Sequence, residues 1–472
     1  MSHCEDAPQT LLPALHAACL NPPAGAFLSM RTLPMQWRSF GVLSLVILCA
    51  AGMVYYHLGL FVPRVMEVRA AEGFGNGYSF GADFYPIWLT SHESRLHYSD
   101  PYNPELTRQI QIGLFGRTVD ARIFGAPPDY WTFAYPAFVD VLFCPLALLP
   151  FSVVRIGFAA ILATVTAVSV VLWLRAINLR SGSVTFVPVM ILLTLSSYSV
   201  LEGIFALQLG LLVGFLLAAA LAALVGNRLF LSGGLLALTL IKPQVVLLVA
   251  AYLFLWSFDQ WRIRWRLVAG FLSVSALLGI SSLLVWPHWI PEWIHAISGY
   301  RQHSTPPLVR YLLGHQMGSR LGPILILAFL LSAITLAVRM RHASPASTGF
   351  ALTVSLLLAI TAIALLPGQA VYDHVVLLPG IIFIALSWRS FAASSQIFRV
   401  VLGVAALALF WQWMFAPVVI AMQPILSPQA FASALITLPI RTAASIPFGV
   451  FALLGLMMRK EIQKQTAGEW NN

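Results

Sequence analysis

The run Phe40–Val62, FGVLSLVILCAAGMVYYHLGLFV, carries no acidic or basic residue apart from one histidine. It exceeds the roughly 20 apolar residues with which an α-helix crosses a hydrocarbon core. It is also longer than a signal-peptide core and shows no cleavage pattern, so it reads as an uncleaved first membrane helix. The rest of the 472-residue chain follows the same plan: 59% is hydrophobic and only 9% charged, against about 25% charged in an average soluble protein. The apolar residues come in helix-length blocks, which favours a helical bundle over a barrel. The expected class is an all-α polytopic membrane protein.

Outward from this run, residues 1–39 contain Pro-Pro and Leu-Pro breaks and no helical period, as a disordered cytoplasmic lead would, with Met30 and Met35 as alternative starts. About twelve spans are expected, at 40–62, 134–150, 152–174, 184–200, 206–225, 229–256, 266–286, 322–339, 349–366, 370–388, 398–416 and 433–457. An outer loop occupies 63–133, the bundle 134–457 and a basic cytoplasmic tail 458–472. Within the loop, 87–96 and 104–115 look like amphipathic helices lying along a membrane surface. The net charge of +10 suits positive-inside topology and anionic lipid better than nucleic acid, because arginines cap the apolar runs. With the N-terminus inside, Arg262, Arg264, Arg266, Arg339, Arg341, Arg389, Arg399, Arg459 and Lys460 fall on the cytoplasmic side. Arg175, Arg180 and Arg228 fall on the wrong one. Cys4, Cys19, Cys49 and Cys144 are too scattered for a disulfide framework or a metal site.

Charge is scarce, so polar residues between the spans need a reason. The stretch Gly77–Glu105, GYSFGADFYPIWLTSHESRLHYSDPYNPE, gathers several of them. Asp83 beside Phe84 and Tyr85 could be a turn residue, or a carboxylate desolvated enough to act as a general base. Asp100 precedes a proline and reads as a turn; Tyr102, Asp129 and Tyr130 are candidates for a sugar site, though structural roles explain them. Lys242 in LTLIKPQVVLL costs about 2.5–3.5 kcal/mol to insert at a helix centre, so it either snorkels or meets an anionic ligand. Pro243 breaks the helix behind it. Gln208 is a weaker signal, adequately explained by helix-to-helix hydrogen bonding. Arg301, His303, Arg310, His315 and Arg320 form a basic outer loop whose sign suits a phosphate head group. Asp373 is accounted for by a helix N-terminus, while His374 beside it is not. No Walker A, GxSxG, HExxH or CxxC pattern occurs, which removes support for NTP-driven transport, serine hydrolysis and zinc proteolysis. No cofactor or metal site is expected.

In their order, GADFYPIW, DPYNPE, TFAYPAFVDVLFCPLALLPF, LQLGLLVGFLLAAAL, SGGLLALTLIKPQVVLLV and YDHVVLLP resemble the glycosyltransferase family 87 members of the GT-C superfamily, which use polyprenyl-phosphate sugars. The resemblance departs at Leu207, where the family often has glycine before the glutamine, and at Ala137, where it has proline. It implies a GT-C-like bundle with a long first outer loop. The implied activity moves a hexose such as mannose from a polyprenyl-phosphate donor to a hydroxyl of a lipid or glycan acceptor. It would work on the outer side of the cytoplasmic membrane, with inversion and without nucleotide-sugar. Asp83 would be the base and His374 a positioning partner. Lys242, Arg301, Arg310 and Arg320 would face the donor phosphate, and Tyr85, Tyr102, Gln208 and Asp373 the substrates. The alternatives are a transporter or flippase for lipid or solute, disfavoured because the long loop has no counterpart in the second half, and an outer-face polysaccharide ligase or polymerase.

Overall fold

A computed structural model describes residues 35–71, 78–119, 131–178, 184–393 and 396–469. Residues 1–34 of the lead, Asp129, Tyr130 and Arg180 lie outside these, while residues 35–39, expected to be disordered, belong to the helix Met35–Tyr55. Among the described residues the chain is helical, and its β-type pairing is an isolated bridge between Pro307 and Pro367. Six helices are long and apolar enough to cross a membrane, beginning with Phe40–Ala71, and two bent pairs bring the figure to eight. The all-α multi-pass class therefore holds. The count of twelve is not reached by this measure, because several apolar elements are shorter than a bilayer requires.

Two of the expected spans take a different course. The segment expected at 134–150 is a short helix, Ala137–Phe143, followed by a 3-10 turn, Cys144–Leu148. At its start Trp293 Nε1 donates to the Ala134 carbonyl at 3.2 Å. At its end Trp88 Nε1 donates to Leu149 at 3.0 Å, and His92 Nδ1 lies 2.8 Å from the Ala147 carbonyl. Trp88 and His92 belong to the 63–133 loop and Trp293 to the helix Trp289–His303, in the connection between the expected spans 266–286 and 322–339, so the segment returns to the layer it left.

The span expected at 229–256 is a hairpin. Its arms are Leu229–Leu238 and Leu247–Asp259, joined through 3-10 turns on either side of Lys242. The first arm lies tight against Trp261–Val285. A Cβ at Gly233 would strike the Leu267 carbonyl and one at Gly270 the Phe230 carbonyl. Small residues permit this approach, as they do between membrane helices generally.

These two changes resolve the misplaced arginines. The helices Phe151–Ile177 and Leu209–Val225 both start beside Gly81, where an added Cβ would lie 3.1 Å from Phe151 and 3.0 Å from Leu207. The first ends at Asn178, whose amide donates to the Ala346 carbonyl at 3.4 Å. That loop also holds Arg341 and His342, which with Arg264 surround Asp259. Arg339 and Arg459 line one cleft, and Lys460 Nζ donates to the Phe391 carbonyl at 3.4 Å. Arg175, and Arg228 at the foot of the second helix, therefore join the basic residues at one end of the bundle. Gly81 marks the opposite end.

The two helices expected inside the first loop form at Tyr85–His97 and Pro104–Phe115. The second starts with Asn103 accepting from the Glu105 amide at 2.9 Å, satisfying one of the donors that a helix N-terminus leaves free.

Candidate active site

Asp83 is placed by a turn rather than by a helix. The Gly81 amide donates to the Phe205 carbonyl at 2.8 Å, and the Ala82 amide to Ser79 at 3.0 Å. Gly81 has φ +86°, a conformation that favours glycine, in a space closed by Leu207 and Phe151. Next in sequence, Phe84 is fully buried and stacks on Phe158 with centroids 4.3 Å apart. The side chains on either side of Asp83 are thus committed to packing, and Asp83 itself is only partly buried.

Gln208 meets Asp83 from the other side. The Tyr198–Ala206 helix ends at Leu207, which adopts φ +58°, and Gln208 opens the next helix, Leu209–Val225. The Gln208 Nε2 donates to Asp83 Oδ2. Its Oε1 accepts from Lys242 Nζ at 3.3 Å. The amide orientation follows from its neighbours, because a carboxylate needs a donor and an ammonium an acceptor. Lys242 Nζ donates to Asp373 Oδ1 at 2.7 Å and lies 4.8 Å from the centre of the Tyr372 ring. Asp373, fully buried in the 3-10 turn Val371–Leu377, fits because position 210 is glycine: a Cβ there would collide with its Oδ1.

The result is a continuous polar row, Asp83–Gln208–Lys242–Asp373, drawn from four separate segments. Lys242 and Asp373 balance one another, and Asp83 is left with a neutral amide. Burial is the largest influence on the Asp83 carboxyl and pushes it up to about 6. The Gln208 hydrogen bond opposes this, the nearby Glu202 charge reinforces it, and Lys242 and Asp373 act more weakly with opposite signs. A carboxylate ionised just below neutral pH is suited to accept a proton from a hydroxyl. Tyr135, Tyr300 and Tyr372 stand close enough to interact with the Asp83 and Asp373 charges or with one another. Tyr300 is carried by the Trp289–His303 helix. The loop following that helix is strapped to the connection between the helix Thr348–Ala364 and the 3-10 turn Val371–Leu377 by Leu308 N to Leu366 O at 3.1 Å and Gly368 N to Pro306 O at 2.9 Å.

Other candidates lie apart from this row. The Tyr85 hydroxyl turns to the Pro104–Phe115 helix, where it fills the space a Cβ at Gly113 would need. Tyr102 donates to the Tyr135 carbonyl at 2.8 Å and thereby supports a residue of the site. Arg301, Arg310 and Arg320 are exposed on the second outer loop, with the Arg310 stem packed over Gly318 and Gly322. His374 is buried facing the Ala443 backbone, and neither ring nitrogen has a hydrogen-bond partner. Asp373, which the sequence explains as a helix-terminus residue, is instead the ion-pair partner of Lys242. Among the described residues no group of three or more His, Cys, Asp or Glu side chains is arranged to hold a metal ion. Glu202 and His57 escaped notice in the sequence although each is an ionisable residue inside an apolar run, which is a signal in itself.

A search of curated proteins finds no match to this chain. Residues 133–367 match the model of Glycosyltransferase family 87. That interval contains Gln208 and Lys242, while Asp83 precedes it and Asp373 follows it. By this match the chain belongs to glycosyltransferase family 87, a family of GT-C-like membrane glycosyltransferases.

Proposed function

We propose that the protein transfers a hexose, mannose in the first instance, from a polyprenyl-phosphate donor to a hydroxyl of a lipid or glycan acceptor. The reaction takes place at the Asp83 end of the bundle, which faces the periplasm or cell exterior from the cytoplasmic membrane. The observation that carries this reading is Asp83, a carboxylate held by Gln208, pushed up to about 6 and only partly buried.

One base suffices for the chemistry. As the acceptor oxygen forms its bond to the anomeric carbon, its proton passes to Asp83. The bond from that carbon to the phosphate oxygen breaks, and the polyprenyl phosphate departs with the electron pair. Attack opposite the leaving group inverts the centre. Phosphate is a good leaving group and requires charge stabilisation rather than an acid, whereas a glycosidase would need a second carboxylate beside the sugar. Lys242 is committed to Asp373, so its part is to hold Gln208 and Asp373 in place. Arg301, Arg310 and Arg320, exposed on the neighbouring loop, are the cations free to approach the phosphate. Tyr135 and Tyr372 supply sugar-facing hydroxyls and rings. The substrate role proposed for Asp373 falls to its Oδ2, which has no protein partner. His374 supports the turn that carries Asp373.

The test is transfer by the purified protein from a radiolabelled short-chain prenyl-phosphate mannose to a total lipid extract of the host. A covalently labelled lipid supports the reading. The break at Lys242–Pro243 also suits a transporter. Movement of lipid across reconstituted vesicles with no covalent product would favour that alternative.

A further inference from the structure

His57, Glu202 and Tyr78 form a second polar cluster behind the Asp83 turn. His57 Nε2 lies 2.9 Å from Glu202 Oε2, and the Tyr78 hydroxyl lies 2.7 and 2.9 Å from the two Glu202 oxygens. Aromatic rings wall it in: His57 stacks on Phe61 at 5.5 Å and meets the edges of Tyr198 and Phe205. The first long helix is interrupted here by a π-helical turn, Tyr56–Phe61. Such turns recur at functional positions.

The hydrogen-bond partners favour one arrangement of the His57 ring. His57 is fully buried and its Nδ1 has no partner. An imidazolium would strand a buried N–H donor there, at a cost that a bare acceptor does not incur to the same degree. The neutral ring donating through Nε2 fits, and the Tyr78 hydroxyl is the second donor. With the ring in this form, neither contact brings a positive charge to Glu202.

The cluster holds both ends of the Asp83 support. Tyr78 lies just before the turn in the chain. Glu202 belongs to the Tyr198–Ala206 helix, whose Phe205 carbonyl receives the Gly81 amide and whose end leads through Leu207 to Gln208. The charged and titratable groups facing Asp83 are Glu202 from this helix, Lys242 from the hairpin, and Asp373 and Tyr372 from the 3-10 turn, with Tyr78 and Tyr135 beside them. Lys242 and Asp373 offset each other, and no Lys or Arg forms an ion pair with Glu202 among the described residues, its contact being to the His57 ring.

We propose that Glu202, held by His57 and Tyr78, is a positioning residue that fixes the Asp83 turn and strengthens Asp83 as a base through its unneutralised charge. The proposal rests on Asp83 acting as the base. Its test is the dependence of kcat and KM on pH for the wild type, Glu202→Gln, Glu202→Asp and Asp83→Asn, using the same prenyl-phosphate mannose and lipid extract. Removing a negative charge from beside a carboxylate lowers its pKa, so Glu202→Gln is expected to move the acid limb of kcat to lower pH. It should also lower the plateau roughly tenfold, a fraction of what a general base contributes. KM should stay within about twofold, since the lost interaction acts on the chemical step. Glu202→Asp, which restores the charge, should return the limb toward its original position. If Asp83→Asn is inactive but the Glu202→Gln limb superimposes on the wild type, the inference fails alone; an active Asp83→Asn would overturn the base assignment beneath it. Should Glu202→Gln not fold, Tyr78→Phe keeps the charge and removes one donor. A lower kcat with the limb retained is then expected, a displaced limb would contradict the charge argument, and an unchanged kcat would contradict the positioning argument.

Discussion

Two aspartates, half-buried Asp259 at one end of the bundle and fully buried Asp373 at the other, show what separates a clamp from an incompletely paired site. At the basic end, Asp259 is met by His342 at 2.8 Å, Arg341 at 3.3 Å and Arg264 at 3.8 Å. Arg264 is itself held over the Trp256 ring at 3.8 Å and donates to the Trp256 carbonyl at 2.7 Å. Both oxygens of Asp259 have cationic or imidazole partners, and the cluster ties the foot of the hairpin to the loop before Thr348. At the other end Asp373 has one ionic partner, Lys242, and its Oδ2 has none. A satisfied network rigidifies, whereas a partly satisfied one beside accessible residues is costly unless something else completes it.

The largest expected effect belongs to the site. Asp83→Asn should lower kcat by about 10²–10⁴-fold, the contribution of a general base, with the detergent-solubilised protein still folded by circular dichroism. Lys242→Met leaves Asp373 buried without its cation, and a loss of about 3–5 kcal/mol of stability is expected by thermal unfolding. Adding Asp373→Asn to it should recover part of that loss. Gly210→Ala removes no functional group, yet its Cβ occupies the Asp373 Oδ1 position. It should cost about 1–3 kcal/mol through overpacking and impair transfer; full activity would mean that the Lys242–Asp373 contact is dispensable. The smallest effect should come from the clamp. Asp259→Asn keeps the shape and loses charge, so about 1–2 kcal/mol is expected with kcat unchanged. A drop in kcat comparable to that of Gly210→Ala would erase the distinction between the two ends.

Much of this contrast was legible in the sequence, though unevenly. Apolar run length gave the class, and the rarity of charge singled out Asp83 and Lys242. Run length misjudged 134–150 and 229–256, because hydropathy records depth in an apolar medium and not whether a segment turns back. The arginines flagged the fault: Arg175 and Arg228 sat on the wrong side until the hairpin and the returning segment were known. Gln208 and Asp373 looked adequately explained by local causes, since nothing in sequence spacing shows that residues 83, 208, 242 and 373 converge. His374, the more conspicuous residue, faces Ala443 instead. Leu207 in place of the family's glycine has a physical reading: it accepts φ +58°, which costs a non-glycine residue roughly 1–2 kcal/mol, and in return its side chain fills the space beside Gly81.

The raised Asp83 carboxyl sets opposite demands on folding and activity. Its folded-state value of about 6 lies above the ordinary aspartate value near 3.9. Its contribution to stability is therefore full below the ordinary value and lost as pH rises through about 6. Transfer needs the ionised form and gains over the same interval. The most direct test of the account is the pH dependence of single-turnover transfer by the wild-type protein from prenyl-phosphate mannose. The account predicts a rate that rises with one proton's slope through an acid limb near pH 6 and levels above it; a rate that stays flat from pH 4.5 to 7.5 would contradict Asp83 as the base.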